Sequence, residues 1–259
     1  MQPFIVIIPA RQASTRLPGK MLADIAGVPM VVRVARRALD SGASDTFIAT
    51  DDPTIAEVAS SFGLKALMTS AEHPSGTDRL TEAVKILGLP DHAIIVNVQG
   101  DEPLIDPALI QRVAALAASD PEAAISTCAA PIGNPQHFFN PNVVKVVCDR
   151  RGHALYFSRA PIPWDRDAQS DGRQVLPEGT QALHHIGLYA YRVSFLKKFP
   201  NLSRGVLESI ESLEQLRALE HGYKIAVLKT STHPGAGVDT QEDLDRVRLI
   251  LAGKEPKSG

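Results

Sequence analysis

The sequence predicts an α/β fold with a mostly parallel central sheet and a small mixed lobe, and three observations carry that prediction. The apolar, β-branched run at 4–8 has the composition of a strand buried on both faces. Helical and strand-like segments then alternate as far as residue 98, the wiring of consecutive βαβ units. Beyond the helix that follows Pro107 the alternation loosens, which reads as a substrate or dimerisation lobe at about 130–210 embedded in a single domain spanning 1–259. A chain of 259 residues with 44% hydrophobic composition is long enough for a sizeable core.

The elements follow in order. After the first strand, helices are expected at 30–39, 53–62 and 78–87, the last with Thr77 or Asp78 as its N-cap, and strands at 46–50, 65–68 and 93–98. Strand-like runs at 124–130, 143–148, 154–157 and 186–192 make up the mixed region. The stretch 163–181, rich in Asp, Gly, Gln and Pro, is expected to be an exposed loop. A helix at 212–221 stopped by Gly222, a strand at 224–229, a helix from Gln241 and a frayed tail at 253–259 complete the chain.

Lys and Arg number 27 against 29 Asp and Glu, a formal charge of −2, so no global basic field exists to hold nucleic acid or a membrane surface. An anionic ligand must be met by local cations. The apolar N-terminal run is too short for a signal segment and lacks a basic flank, and no stretch approaches the ~20 apolar residues of a membrane span. Cys128 and Cys148 stand in strand-like runs without metal spacing, which suggests buried, reduced thiols and a cytoplasmic location.

Ligands of open α/β sheets gather beyond the carboxyl ends of the strands, so the residues after each strand carry the chemistry. The loop from Pro9 to Lys20 follows the first strand and holds three cations, Arg11, Arg16 and Lys20, and two hydroxyls, Ser14 and Thr15. Its amides and hydroxyls can cradle phosphates while the cations neutralise them. It is neither a dinucleotide fingerprint nor a Walker A loop, which argues against NAD and against a P-loop ATPase. A second cluster, His73 to Arg79, ends a loop and opens a helix whose N-terminus suits an anion or a base edge.

Gln99-Gly100-Asp101-Glu102 follows a buried strand, and Asp101 there has the setting of a Mg²⁺ ligand beside phosphates and water. Asp239 precedes a capping box of Thr240 and Asp243 and is left free to point elsewhere, although a purely structural role is common for such a residue. Strand alternation places His185, Gly187 and Tyr189 on one face as a floor for a polar ligand, with the glycine leaving room between the rings. A stripe of Leu213, Leu216 and Leu219 displaces Glu214 and Gln215 toward solvent or a cleft.

Taken together, Ile8 to Arg11, Ser14 to Lys20, Ser75 to Arg79, Val98 to Pro103, Pro141 to Val146, Ala154 to Arg159, His185 to Tyr191, Leu213 to Arg217 and Gly237 to Thr240 resemble the 3-deoxy-manno-octulosonate cytidylyltransferase family. The resemblance implies a Rossmann-like nucleotidyltransferase fold and a homodimer. It also implies transfer of CMP from CTP to the anomeric hydroxyl of 3-deoxy-manno-octulosonate (Kdo), with release of pyrophosphate, for lipopolysaccharide biosynthesis. On that pattern Arg11, Arg16 and Lys20 bind the triphosphate and act with Asp101 in catalysis, and Ala10, Ser14, Ser75, Gly76 and Arg79 complete the CTP site. Asp101 and Asp239 hold Mg²⁺, while Gln99, His185, Tyr189, Glu214 and Gln215 face the sugar.

Two positions depart from the pattern. Met21 stands where Pro is frequent, and His184 stands where Lys or Arg is usual, so a positive charge there requires a protonated imidazole. Cytidylyltransferases for 8-amino-Kdo or sialic acid are the nearest alternatives, and a non-catalytic nucleotide sensor on the same fold is a further one. Retention of both Asp101 and Asp239 favours an enzyme, and the Ser14 to Lys20 sequence favours Kdo over sialic acid.

Overall fold

The β-branched run forms β1 (Phe4–Ala10), and the computed structural model describes residues 2–11, 17–73, 75–167, 176, 182–231 and 237–253. Val6, Ile7 and Ile8 are fully buried because both faces of this strand are covered. A single 3₁₀ turn (Lys20–Leu22) and a hairpin of β2 (Asp24–Ile25) and β3 (Val28–Pro29) lead into α1 (Met30–Leu39). The βαβ series continues through β4 (Asp45–Thr50), α2 (Pro53–Ser61), β5 (Lys65–Met68), α3 (Gly76–Ile86), β6 (Ile94–Asn97) and α4 (Pro107–Ser119). Then come β7 (Ala123–Pro131), α5 (Pro135–Phe139), β8 (Lys145–Cys148), β9 (Ala154–Ser158) and β10 (Leu183–Arg192). The chain closes with α6 (Val193–Leu196), α7 (Val206–Glu211), α8 (Gln215–Glu220), β11 (Lys224–Lys229) and α9 (Gln241–Leu251).

The main sheet runs β11-β7-β10-β6-β1-β4-β5, with β8 and β9 branching from β10. Its β1, β4, β5 and β6 strands are parallel, whereas β10 is antiparallel to β6, β7 and β8. Val6 and Ile8 enter one core with α1, α4 and α9, and Ile7 enters the other with α3 and α8, giving three layers. Each large side chain so buried contributes about 1.5–3 kcal/mol. Because β1 lies between β4 and β6, the sheet grows in opposite directions on either side of it, and a crevice opens at the carboxyl ends of β1 and β6.

Three local features differ from the sequence expectation. Ser75, rather than Thr77 or Asp78, caps α3, its Oγ accepting from the Asp78 amide at 3.2 Å. The helix expected over 212–221 is shortened to α8, which begins only at Gln215, and Ser212, with a left-handed φ of 52°, is instead the C-cap of the separate helix α7 before it. Glu211 is responsible, since its carboxylate accepts from Ser158 Oγ (2.6 Å) and Arg159 N (2.9 Å), and its carbonyl from Arg159 Nε (2.7 Å), pinning the chain to the end of β9. The third is in β10, which starts at Leu183 and slips register between Ile186 and Tyr189, with Gly187 in the slip. The rings of His185 and Tyr189 therefore lie 5.4 Å apart, in contact, and no ligand space separates them.

Cys128 is buried, Cys148 half-buried, and neither forms a disulfide. Among the described residues no helix is long and apolar enough to cross a membrane. Most of the loop expected at 163–181 and of the tail at 253–259 lies outside the described residues.

Candidate active site

At the crevice, the loop after β1 returns through Gly19, whose φ of 69° turns the chain into the 3₁₀ turn and buries Lys20 to 8% exposure. Lys20 Nζ donates to Asp101 Oδ2 at 2.7 Å and to Asp239 Oδ1 at 3.2 Å. Two carboxylates far apart in sequence thus converge on one cation. The Val238 amide, donating to the Asp101 carbonyl at 2.9 Å, ties their loops together. Thr240 caps α9 in a capping box with Asp243, whose Oδ2 accepts from the Asp239 and Thr240 amides, so Asp239's own carboxylate is not needed for the cap. Gly100 permits a close approach of a different kind from a nucleotide's: a Cβ there would lie 2.9 Å from Met21 Sδ and 3.1 Å from the Pro9 carbonyl.

Negative charge is concentrated here. Burial, then the charges of Asp101 and Asp239, push Glu102 up to about 8, with Lys20 opposing them. Burial alone would lower Lys20, but Asp101 and Asp239 more than offset it and hold the ammonium above its ordinary value. A pair of carboxylates already gathered on one cation, with a third carboxyl discouraged from ionising by their charge, is a donor set that suits a divalent hard cation. Among the described residues no group of three or more such ligands occurs, so the fit is to an ion that takes two carboxylates and completes its shell with phosphate and water.

One cavity of about 410 Å³ collects most of the residues singled out from the sequence. Ala10, Arg11, Lys20, Ser75, Gly76, Arg79, Gln99, Asp101, Tyr189, Glu214, Gln215 and Asp239 all line it. Arg79, near the start of α3, is 3% exposed and held at the cavity by donation to Thr69 Oγ1 (2.6 Å) and pairing with Asp51 (3.4 Å). Ser14 and Arg16 lie outside the described residues. Tyr191 and Phe199 also line the cavity and were not picked out from sequence, as do His73 and Thr77, which stand in the second cluster without a ligand of their own assigned, and Asn97, which ends the strand before Gln99. Tyr191 carries a recoverable signal, since it stands two residues beyond Tyr189 on the same strand.

His185 does not line the cavity; it packs behind Tyr189 with its ring edge-on to Phe157 at 4.8 Å. Its Nε2 is 2.9 Å from Thr127 Oγ1, which also meets the Leu188 carbonyl at 2.8 Å. A hydroxyl has one proton and the carbonyl can only accept, so Thr127 donates to Leu188 and accepts from His185 Nε2–H. Burial, and secondarily His184, pushes His185 down from 6.5 to about 3. Between those pH values the unfolded chain binds a proton that the folded chain does not, so His185's contribution is complete above about 6.5 and declines as pH falls toward about 3. Unfolding free energy measured from pH 7 to 5 should therefore fall more steeply in the wild type than in His185→Gln, by up to about 1.4 kcal/mol per pH unit. Parallel slopes would contradict this.

The comparisons with known proteins agree with the geometry. A family model described as cytidylyltransferase matches residues 5–225. The chain is 55% identical over 257 residues to the 3-deoxy-manno-octulosonate cytidylyltransferase of Acidovorax sp. (strain JS42), covering 97% of this chain and 98% of that protein. The same identity and coverage hold for the protein of that name from Acidovorax ebreus (strain TPSY). A solved structure of CMP:2-keto-3-deoxy-manno-octonic acid synthetase complexed with CTP is similar at a TM-score of 0.89 and 39% identity, covering 98% of this chain and 100% of that one. A cytidylyltransferase from Leptospira borgpetersenii serovar Hardjo-bovis (strain JB197) shares the fold at a TM-score of 0.62 and 17% identity, over 97% of this chain and 88% of that one.

Proposed function

The chain belongs to the cytidylyltransferase family, and from that premise we propose that it transfers CMP from CTP to the anomeric hydroxyl of Kdo, releasing pyrophosphate. The observation that carries the reading is a single crevice in which Lys20 and the Asp101–Asp239 pair stand beside a wall of Tyr189, Glu214 and Gln215. A polyanionic nucleotide needs the first group, and a polyhydroxylated sugar acid suits the second.

In the proposed mechanism the anomeric oxygen attacks the α-phosphorus in line, and the α–β bridging oxygen leaves with pyrophosphate. Arg11, Arg16 and Lys20 neutralise charge on the triphosphate, the term that dominates phosphoryl chemistry. The α3 N-terminus, with Ser75, Gly76 and the anchored Arg79, receives the nucleoside. Tyr189, Gln99, Glu214 and Gln215 orient the sugar, and His185 holds Tyr189 from behind. Mg²⁺, when bound by Asp101 and Asp239, supplies polarisation of the phosphate and a lower pKa for the attacking hydroxyl. No covalent intermediate on the protein is required.

The same proposal assigns the enzyme to lipopolysaccharide biosynthesis in the cytoplasm. A homodimer is part of the same reading, and it is supported by Leu155, Trp164, Val206 and Ile210, large apolar side chains that stand exposed in and around the lobe. Light scattering should give twice the 27.8 kDa of one chain; a monomer at enzyme concentrations well above those used for assay would remove the dimer from the account. The catalytic reading is tested by incubating the protein with CTP, Kdo and Mg²⁺ and following phosphorus resonances. Equimolar CMP-sugar and pyrophosphate are expected, and CTP left intact would overturn the reading.

A further inference from the structure

We propose that Asn97 is a further sugar-contacting residue, its side-chain carbonyl accepting a hydrogen bond from a hydroxyl of the acceptor sugar. The inference rests on the reading that the acceptor is a polyhydroxylated sugar acid.

Asn97 ends β6, lines the cavity and is only 2% exposed, yet its Oδ1 is buried without a hydrogen-bond partner. An acceptor left unmet in a protein interior is costly, and native folds seldom retain one without use.

Two more unmatched buried atoms belong to the same cavity wall, Oε1 of Glu214 and Nε2 of Gln215. Two acceptors and one donor complement a ligand rich in hydroxyls. Phosphate oxygens, being acceptors, cannot satisfy Asn97 Oδ1 or Glu214 Oε1. The cytosine amino group and the ribose hydroxyls could, but position favours the sugar: Asn97 is in register with Tyr189 of β10, and Glu214 bears electrostatically on both Tyr189 and Tyr191.

The test is Asn97→Leu, close to isosteric and without polar atoms. With CTP saturating, the KM for Kdo should rise roughly tenfold to a hundredfold, the range for a lost polar contact in a buried site, while the Kd of CTP measured by calorimetry is unchanged. Kdo analogues lacking one hydroxyl at a time give the decisive comparison. For one analogue the wild type should lose what the variant loses on Kdo, and the variant should lose nothing more. Should Asn97→Leu fail to fold, Asn97→Ala is measured in the same way and should show a comparable rise in KM with the same unchanged CTP affinity. An unchanged KM, a matching loss of CTP affinity, or additive losses for every analogue would overturn the proposal. A wild type inactive on Kdo would instead overturn the functional reading beneath it, so the two failures are distinct.

Discussion

Replacement of Asp239 by Asn is expected to lower turnover by roughly a hundredfold or more, the scale of a lost preorganised transition-state contact, and to leave the melting temperature nearly unchanged. Were Asp239 only a helix-starting residue, the substitution would be almost silent, because Asn caps about as well as Asp. Here the cap belongs to Thr240 and Asp243, and Asp239 is directed instead at Lys20 beside Asp101. The change keeps the shape and removes one full charge from the proposed metal seat. Asp101→Asn should behave alike, and the double variant should lose far less than the product of the two single losses, as for groups acting on one ion. Raised Mg²⁺ should restore part of the activity of each single variant. Near-normal turnover of folded Asp239→Asn at the wild type's half-saturating Mg²⁺ would return this residue to a structural role.

Lys20→Met is expected to have an effect of similar size for a different reason. Lys20 is the cation shared by both carboxylates, and burial leaves little water to replace it. Its removal withdraws charge from the triphosphate and should lower turnover by roughly a hundredfold to a thousandfold, with a weaker CTP affinity. It also removes the protein's own competitor for the carboxylate pair, so the Mg²⁺ requirement should stay the same or decrease, opposite to the aspartate variants. Added Mg²⁺ should not restore turnover. A Lys20→Met protein rescued by Mg²⁺ would show that Lys20 serves only to hold the carboxylates in place.

Much of this was legible from residue order. The unbroken β-branched run of β1 and the alternation through β6 carry their own period, and Asp101 announces itself by following a buried strand. Features that depend on distant partners were not legible. The break at Ser212 arises from Glu211 reaching Ser158 and Arg159, residues more than 50 positions away, and no local pattern encodes it. Alternation put His185 and Tyr189 on a common face, but the slip around Gly187 that closes the gap between their rings is a matter of pairing with β7. Asn97 reads in sequence as an ordinary polar residue ending a strand. Its significance appears only when the cavity wall surrounds it and leaves Oδ1 unmatched.

Competition between acceptor sugars separates transfer of CMP to Kdo from transfer to other sugar acids. With CTP limiting and equal concentrations of Kdo and sialic acid, the nucleotide-sugar products are separated and weighed by mass spectrometry after partial conversion. CMP-Kdo is expected as the dominant product, and equal or greater formation of CMP-sialic acid would rule out Kdo as the preferred acceptor.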